Sequence, residues 1–315
     1  MEVISKAFSI HKRGESPEDN QDSVCMSENN MRFALSDGVS MSFLPHIMSK
    51  TLTSSYVNAN SEDLFPPEAL ASLFKEARDK YMTTLDDFSY MLQEGVEKEF
   101  KNGAATFVGV ELCNGKISWQ VIGDSCLFLL PHNKPMKCIC SEKVEITEDN
   151  KIKITFGNHP AQIHSDGTIV GKILKGEMKM TSGWYIMMSD AMSAWFIDRI
   201  NQNENEIVER LYNITDSDGF ENLIEHEYNA GRLKNDDCSM IAISILTSDV
   251  VERNNQFKKT EPTKDEQANE ATSEMNEFME EYMEDNDKYE NETVFKHECK
   301  IKKILRYFKD KFIKK

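Results

Sequence analysis

Phe33-Ala34-Leu35-Ser36-Asp37-Gly38 is a short apolar run that ends on an aspartate and a glycine, and the pattern returns twice. Trp119-Gln120-Val121-Ile122 leads into Gly123-Asp124-Ser125, and Tyr185-Ile186-Met187-Met188 leads into Ser189-Asp190-Ala191. A further acidic signature, Asn235-Asp236-Asp237, instead precedes its run, Ser239-Met240-Ile241-Ala242-Ile243-Ser244-Ile245-Leu246. Apolar runs of this length bounded by turn residues read as buried strands. A carboxylate at the lip of such a strand is held rigidly, and several meeting in one place repel unless cations lie between them. An all-oxygen donor set selects hard divalent ions, Mg2+ or Mn2+, over zinc or copper. These signatures therefore predict a multi-metal carboxylate site.

The chain carries its own control on such short motifs, because Ser-Asp-Gly occurs at Ser36, Ser165 and Ser217. The copy at Ser165 lies between short alternating stretches and reads as a hairpin turn. The copy at Ser217 precedes Phe220-Glu221-Asn222-Leu223-Ile224 and reads as a helix start. Only the first follows a buried strand and has acidic partners elsewhere.

With 315 residues the chain is long enough for one large domain plus a tail. Its net charge of −17 argues against nucleic-acid binding, since a phosphate backbone would be repelled. Seven irregularly spaced cysteines predict reduced thiols in a cytoplasmic setting, and Cys138 and Cys140 stand too close for a zinc knuckle. The first residues lack a basic stretch followed by an apolar one, so no signal peptide is expected, and no apolar run approaches a bilayer span.

Along the chain, the first third reads as three strands followed by helices. Phe43 to Val57 has helical spacing, and Pro66-Pro67-Glu68 opens a long helix carrying Leu70, Leu73, Phe74, Ala77, Tyr81, Leu85, Phe88, Leu92, Val96 and Phe100 on one face. Asn114-Gly115 between Thr106–Cys113 and Lys116–Ile122 predicts a tight hairpin, because both turn residues tolerate positive φ. Residues 131–183 are turn-rich and read as short strands with a surface flap. Helices are expected at Ala191–Ile200, Glu204–Tyr212 and Phe220–Gly231, then a last strand at Met240–Leu246. The pattern gives an α+β fold with antiparallel sheets.

The order and wording of these motifs resemble the metal-dependent protein phosphatases, the protein phosphatase 2C family, in a bacterial form. The resemblance runs from Asn20-Gln21-Asp22-Ser23 through Ser36-Asp37-Gly38-Val39-Ser40, Gly103-Ala104-Ala105-Thr106, Gly123-Asp124-Ser125, Ser189-Asp190-Ala191-Met192 and Asp236-Asp237-Cys238-Ser239. It covers roughly residues 1–247 in the family's order. It implies two stacked antiparallel sheets with helices on both outer faces and metals in the cleft at the sheet ends. It implies hydrolysis of phosphoserine and phosphothreonine in proteins by a metal-activated water held between two Mg2+ or Mn2+ ions. Asp37 would bridge the ions, Asp190 and Asp236 would hold one, and Asp22 with the Gly38 carbonyl would support the other. Asp37 and Asp190 are thus the expected catalytic pair, and Asp124 with Asp190 matches the place of a weaker third ion. A glycine at position 38 would let the backbone oxygen approach a hydrated ion. The family pattern selects Asp236 rather than Asp237, which takes the place usually held by asparagine.

Four departures from that pattern bear on function. Pro17 stands where many relatives carry a phosphate-gripping arginine; His11, Lys12 and Arg13 are the basic residues nearby, and the forked guanidinium favours Arg13. Val39-Ser40 replaces a His-Gly pair, Cys126 follows Gly-Asp-Ser where arginine is common and reads as a buried thiol, and Gln21 replaces a glutamate. The alternative function is a pseudophosphatase, the same fold binding phosphoproteins without turnover.

The expected partners are phosphoprotein substrates and a cognate serine/threonine kinase or its targets. After the catalytic domain, residues 1–248, an acidic linker is expected at 249–293 and a basic amphipathic helix at 294–315. Residues 296–315 carry nine Lys/Arg against Glu298 and Asp310, a local charge of +7. Such a segment can lie on an anionic membrane face, bind a partner's acidic groove, or fold back onto its own domain.

Overall fold

Alternate residues of the buried runs serve different layers, and this period of two builds the fold. The computed structural model describes residues 2–29, 31–59, 67–87, 102–132, 134–147, 151–157, 159–202 and 206–246. All of them fall in the first of two compact units, Met1–Val251. One five-stranded antiparallel sheet has the order β1 (Glu2–Ile10), β15 (Cys238–Leu246), β14 (Gly183–Met188), β7 (Cys126–Pro131) and β8 (Lys137–Ile139). The other has the order β13 (Leu174–Lys179), β6 (Lys116–Ile122), β5 (Phe107–Cys113), β3 (Arg32–Asp37) and β2 (Asp22–Met26).

Phe33 and Leu35 of β3, with Val108, Val110 and Val121, face Leu127, Leu129, Tyr185, Met187, Ile241 and Ile243 of the other sheet in a shared core. The intervening residues turn outward to helices. Ala34, Phe107 and Ile122 pack under α1 (Pro45–Val57) and α2 (Pro67–Asp87) through Leu52, Tyr56, Phe74 and Tyr81. Phe128, Ile186, Met188 and Met240 pack under α3 (Asp190–Asn201), α4 (Ile207–Tyr212) and α5 (Ser217–Asn229) through Trp195, Phe196, Leu211 and Phe220. Both faces of each sheet are covered, which is why the strands read as continuous apolar runs. The result is the four-layer helix–sheet–sheet–helix arrangement that the family resemblance implies.

Asn114 and Gly115 both adopt positive φ, 51° and 73°, and join β5 to β6 as a tight hairpin. The second Ser-Asp-Gly lies in the turn between β11 (Gln162–His164) and β12 (Ile169–Val170), where Gly167 has φ 87°. The third opens α5, whose N-cap is Asp216, accepting from the Gly219 amide at 2.8 Å. The reading of 131–183 as short strands with a flap needs correction at its end. Leu174–Lys179 pairs with Lys116–Val121 of β6 and forms the edge of a main sheet. Half of its residues, Lys175, Glu177 and Lys179, are charged because one side of an edge strand meets solvent. Strand β7 has no separate signal in the sequence, since only three residues lie between it and β6 and the two apolar runs merge. The predicted continuation of α2 through Phe88, Leu92, Val96 and Phe100, the acidic linker and the basic C-terminal helix lie outside the described residues.

Candidate metal centre

Strand pairing brings the acidic signatures to one end of the sandwich. Asp22 opens β2 and is the register partner of Asp37, the last residue of β3. Asp124 lies in the turn from β6 to β7, Asp190 begins α3 directly after β14, and Asp236 precedes β15. The pairing of Met188 with both Cys126 and Met240 sets the last three turns side by side. Two sheets thus contribute five aspartates to one place.

The local supports are specific. The Asp37 amide donates to Thr106 Oγ1 at 3.1 Å, and the Thr106 amide donates back to the Asp37 carbonyl at 2.8 Å. This gives the Gly103-Ala104-Ala105-Thr106 motif a role in fixing the end of β3. Gly38 has a packing reason beyond any approach to an ion: a Cβ there would meet backbone and side-chain atoms of Pro45 at 2.7 Å. Gly123 holds φ 108°, and a Cβ on it would fall 2.5 Å from Thr106 Cβ. Asp190 Oδ1 accepts from the Ala191 amide at 2.6 Å, pinning the carboxylate at the start of α3.

The cluster is electrostatically costly as it stands. Asp22 is 8% exposed, and both its carboxylate oxygens are buried without a hydrogen-bond partner. Its pKa is pushed up to about 8, first by burial and then by the charges of Asp237 and Asp190. The nearby Ser239 and Ser189 hydroxyls oppose that rise, but burial outweighs them, and as placed they donate to Ser9 Oγ and to the Asp237 carbonyl. Burial, followed by Asp22, Asp190, Asp124 and Asp236, holds Asp37 well above the ordinary carboxylate range. Asp124 rises to about 7 through burial and the charge of Asp190, and its Oδ1 is buried and unpaired. Asp190 is raised by burial and by Asp236.

An orphaned buried carboxylate among four others fits a cation, and the all-oxygen donors suit Mg2+ or Mn2+. Among the described residues no three of these side chains converge tightly enough to hold an ion as they stand.

The fold has counterparts among solved structures. The catalytic domain of the serine/threonine protein phosphatase PstP, in complex with two manganese ions, superposes with TM-score 0.52 at 16% identity, over 78% of this chain and 99% of that one. The Mycobacterium tuberculosis phosphatase PstP/Ppp gives 0.50 at 14% identity, and a bacterial serine phosphatase gives 0.50 at 14%, each over 78% of this chain and 99% of the other. This is the fold of the bacterial serine/threonine phosphatases. No protein-family model matches the sequence, and no curated protein matches it.

Within that fold, other residues named from sequence take distinct places. Asp237 is 6% exposed and accepts from the Lys12 amide at 2.8 Å and the Gln21 amide at 2.9 Å, so its carboxylate latches the start of β15 to the segment between β1 and β2. Asp236 instead pairs with Lys234 Nζ at 2.6 Å and accepts from the Asp237 amide at 3.2 Å. The two neighbours divide the work that the sequence left open between them.

Arg13, the phosphate-gripping residue expected from the sequence, is not turned to the aspartates. Its guanidinium donates to Asn229 Oδ1 at 3.3 Å and Glu225 Oε2 at 3.4 Å and lies over the Tyr228 ring, all on α5. The sequence reading missed α5 as a competitor because its acidic and aromatic side chains are more than two hundred residues away. Cys126 is fully buried as expected, and the six described cysteines are free. No described helix is long and apolar enough to cross a membrane.

Proposed function

We propose that this chain is a Mg2+- or Mn2+-dependent serine/threonine protein phosphatase. The observation that carries the reading is Asp22, whose two oxygens are buried without partners among Asp37, Asp124, Asp190 and Asp236. Asp37 would bridge two ions, Asp190 and Asp236 would hold one of them, Asp22 and the Gly38 carbonyl would support the other, and Asp124 would add a weaker third site. When bound, the ions supply charge neutralisation and an activated water, which phosphate-ester hydrolysis chiefly demands.

The chain's own residues do the positioning. Thr106 and the Gln21 carbonyl, which accepts from the Gly38 amide at 3.0 Å, fix the Asp37–Gly38 turn. Asp237 closes β1 and β2 against β15, so carboxylates from both sheets keep a common frame. The substrates would be phosphoproteins made by a serine/threonine kinase, and the free thiols fit a reducing compartment. A catalytic domain over 1–248 with a basic docking segment at 296–315 completes the proposal.

The test is Mn2+-dependent phosphate release from phosphoserine and phosphothreonine peptides by the wild type and Asp37→Ala. The variant is expected to lose more than about tenfold in kcat, or about 1.4 kcal/mol of transition-state stabilisation. Retention of more than a tenth of the rate rejects Asp37 as the bridge. A wild type that binds Mn2+ yet releases no phosphate favours the pseudophosphatase, for which Pro17 and the engagement of Arg13 on α5 already speak.

A further inference from the structure

Three basic side chains near the aspartates are committed in different directions. Arg13 is drawn to α5. Lys12 pairs with Glu15 at 2.9 Å. Lys234 alone of these three pairs with a member of the cluster, reaching Asp236 Oδ2 at 2.6 Å. Its ammonium also feels the charges of Asp190 and Asp37, and its side chain is 70% exposed. Lys234 therefore stands beside the acidic centre on a flexible, largely exposed stem.

Charge counting shows what such a group adds. Asp22, Asp37, Asp190 and Asp236 sum to −4, and two divalent ions supply +4, which leaves a neutral centre facing a phosphate dianion. A further positive charge within reach attracts that dianion. A lysine on a four-carbon stem can leave one oxygen for another at little cost, because its ammonium has no fixed fork to realign. Asp236 keeps a second hold when Lys234 moves, since Oδ1 accepts from the Asp237 amide.

We propose that Lys234 grips the substrate phosphate, exchanging its pairing with Asp236 for the phosphate oxygens and taking the role for which the arginine is missing at position 17. The inference rests on the phosphatase reading but concerns phosphate binding, which can be measured without turnover. It also predicts a point-charge grip rather than a bidentate one.

The experiment is calorimetric titration of inorganic phosphate into the Mn2+-loaded full chain, for the wild type, Lys234→Met and Lys234→Arg, with a parallel Mn2+ titration of each. The exposure of Lys234 keeps folding out of the comparison. Lys234→Met is expected to weaken phosphate binding roughly tenfold or more, as for loss of a charge-assisted hydrogen bond. Its Mn2+ affinity should hold or tighten, because the ammonium no longer competes for Asp236, and Lys234→Arg should restore phosphate binding. Phosphate affinity within twofold of wild type in Lys234→Met, or no phosphate binding by the wild type, overturns the proposal. So does a parallel fall in Mn2+ affinity, which would show that Lys234 acts by holding Asp236. If phosphate binding follows the expectation while no phosphopeptide is hydrolysed, the grip stands and the phosphatase reading fails.

Discussion

Asparagine at position 22 should make the ion-free protein more stable. Asp22 is buried with both oxygens unpaired, and its carboxyl rises from 3.8 to about 8. For an acid whose folded pKa lies above its unfolded value, the folded state holds the proton more tightly. The penalty is therefore absent below about pH 3.8, grows as pH rises, and is complete above about pH 8. At pH 7 the gap from 3.8 is about three pH units, and at about 1.4 kcal/mol for each the cost approaches 4 kcal/mol. Part of this belongs jointly to Asp190 and Asp237, so the neutral, isosteric Asp22→Asn should recover about 2–4 kcal/mol. Urea denaturation of both proteins in chelator, at intervals between pH 4 and pH 8, reads the difference directly. The gap should open toward pH 8 and close near pH 4. With Mn2+ at a hundredfold its dissociation constant the gap should shrink by about 2.7 kcal/mol, because the wild type alone gains that much from that site. A variant less stable than wild type at pH 8 in chelator would refute the reasoning, since it would mean that Asp22 is already well satisfied without an ion.

Glu227 shows the opposite electrostatic case. It is 1% exposed and bonded to Trp195, Arg232, Arg210 and His226, and these partners hold its pKa below the ordinary range despite burial. Its stabilisation is complete above its ordinary value of 4.5 and is lost progressively as pH falls from there toward the depressed value, so Glu227→Gln should cost about 3 kcal/mol at pH 7 and less at pH 3 by denaturant titration. Gly38→Ala forces a Cβ against Pro45 and should cost about 1–3 kcal/mol, with a lowered Tm and reduced Mn2+ binding. Asp124→Ala should keep two bound ions by calorimetry while kcat falls; loss of all metal binding would place Asp124 in the primary pair.

What could be read from the chain was local. The apolar runs, the aspartates that punctuate them, and the Asn114-Gly115 turn each declare themselves within ten residues. The assignments that needed structure all depend on partners far along the chain. Nothing in Asp236-Asp237 says that the second carboxylate will meet the Lys12 and Gln21 amides, since that contact exists only after β15 joins β1. Arg13 looked free because α5, which engages it, is remote in sequence. Gly38 suggested an ion contact, whereas its tight fit against Pro45 follows from how α1 leaves the loop. Lys234 carries no signal in the sequence, because one lysine in a polar turn forms no pattern.

The pairing of β1 with β15 along nine residues sets a schedule for synthesis. β15 is the last described strand, yet it lies between β1 and β14 in its sheet. A nascent chain on the ribosome therefore carries β1 as an unpaired strand until residue 246 has emerged. Four of the five aspartates are synthesised well before Asp236, so the proposed ion site is complete only when the domain is. A fragment released early would keep an open edge on both β1 and β14, and the fitting strand would be the β15 of another chain, a direct route to strand exchange between molecules.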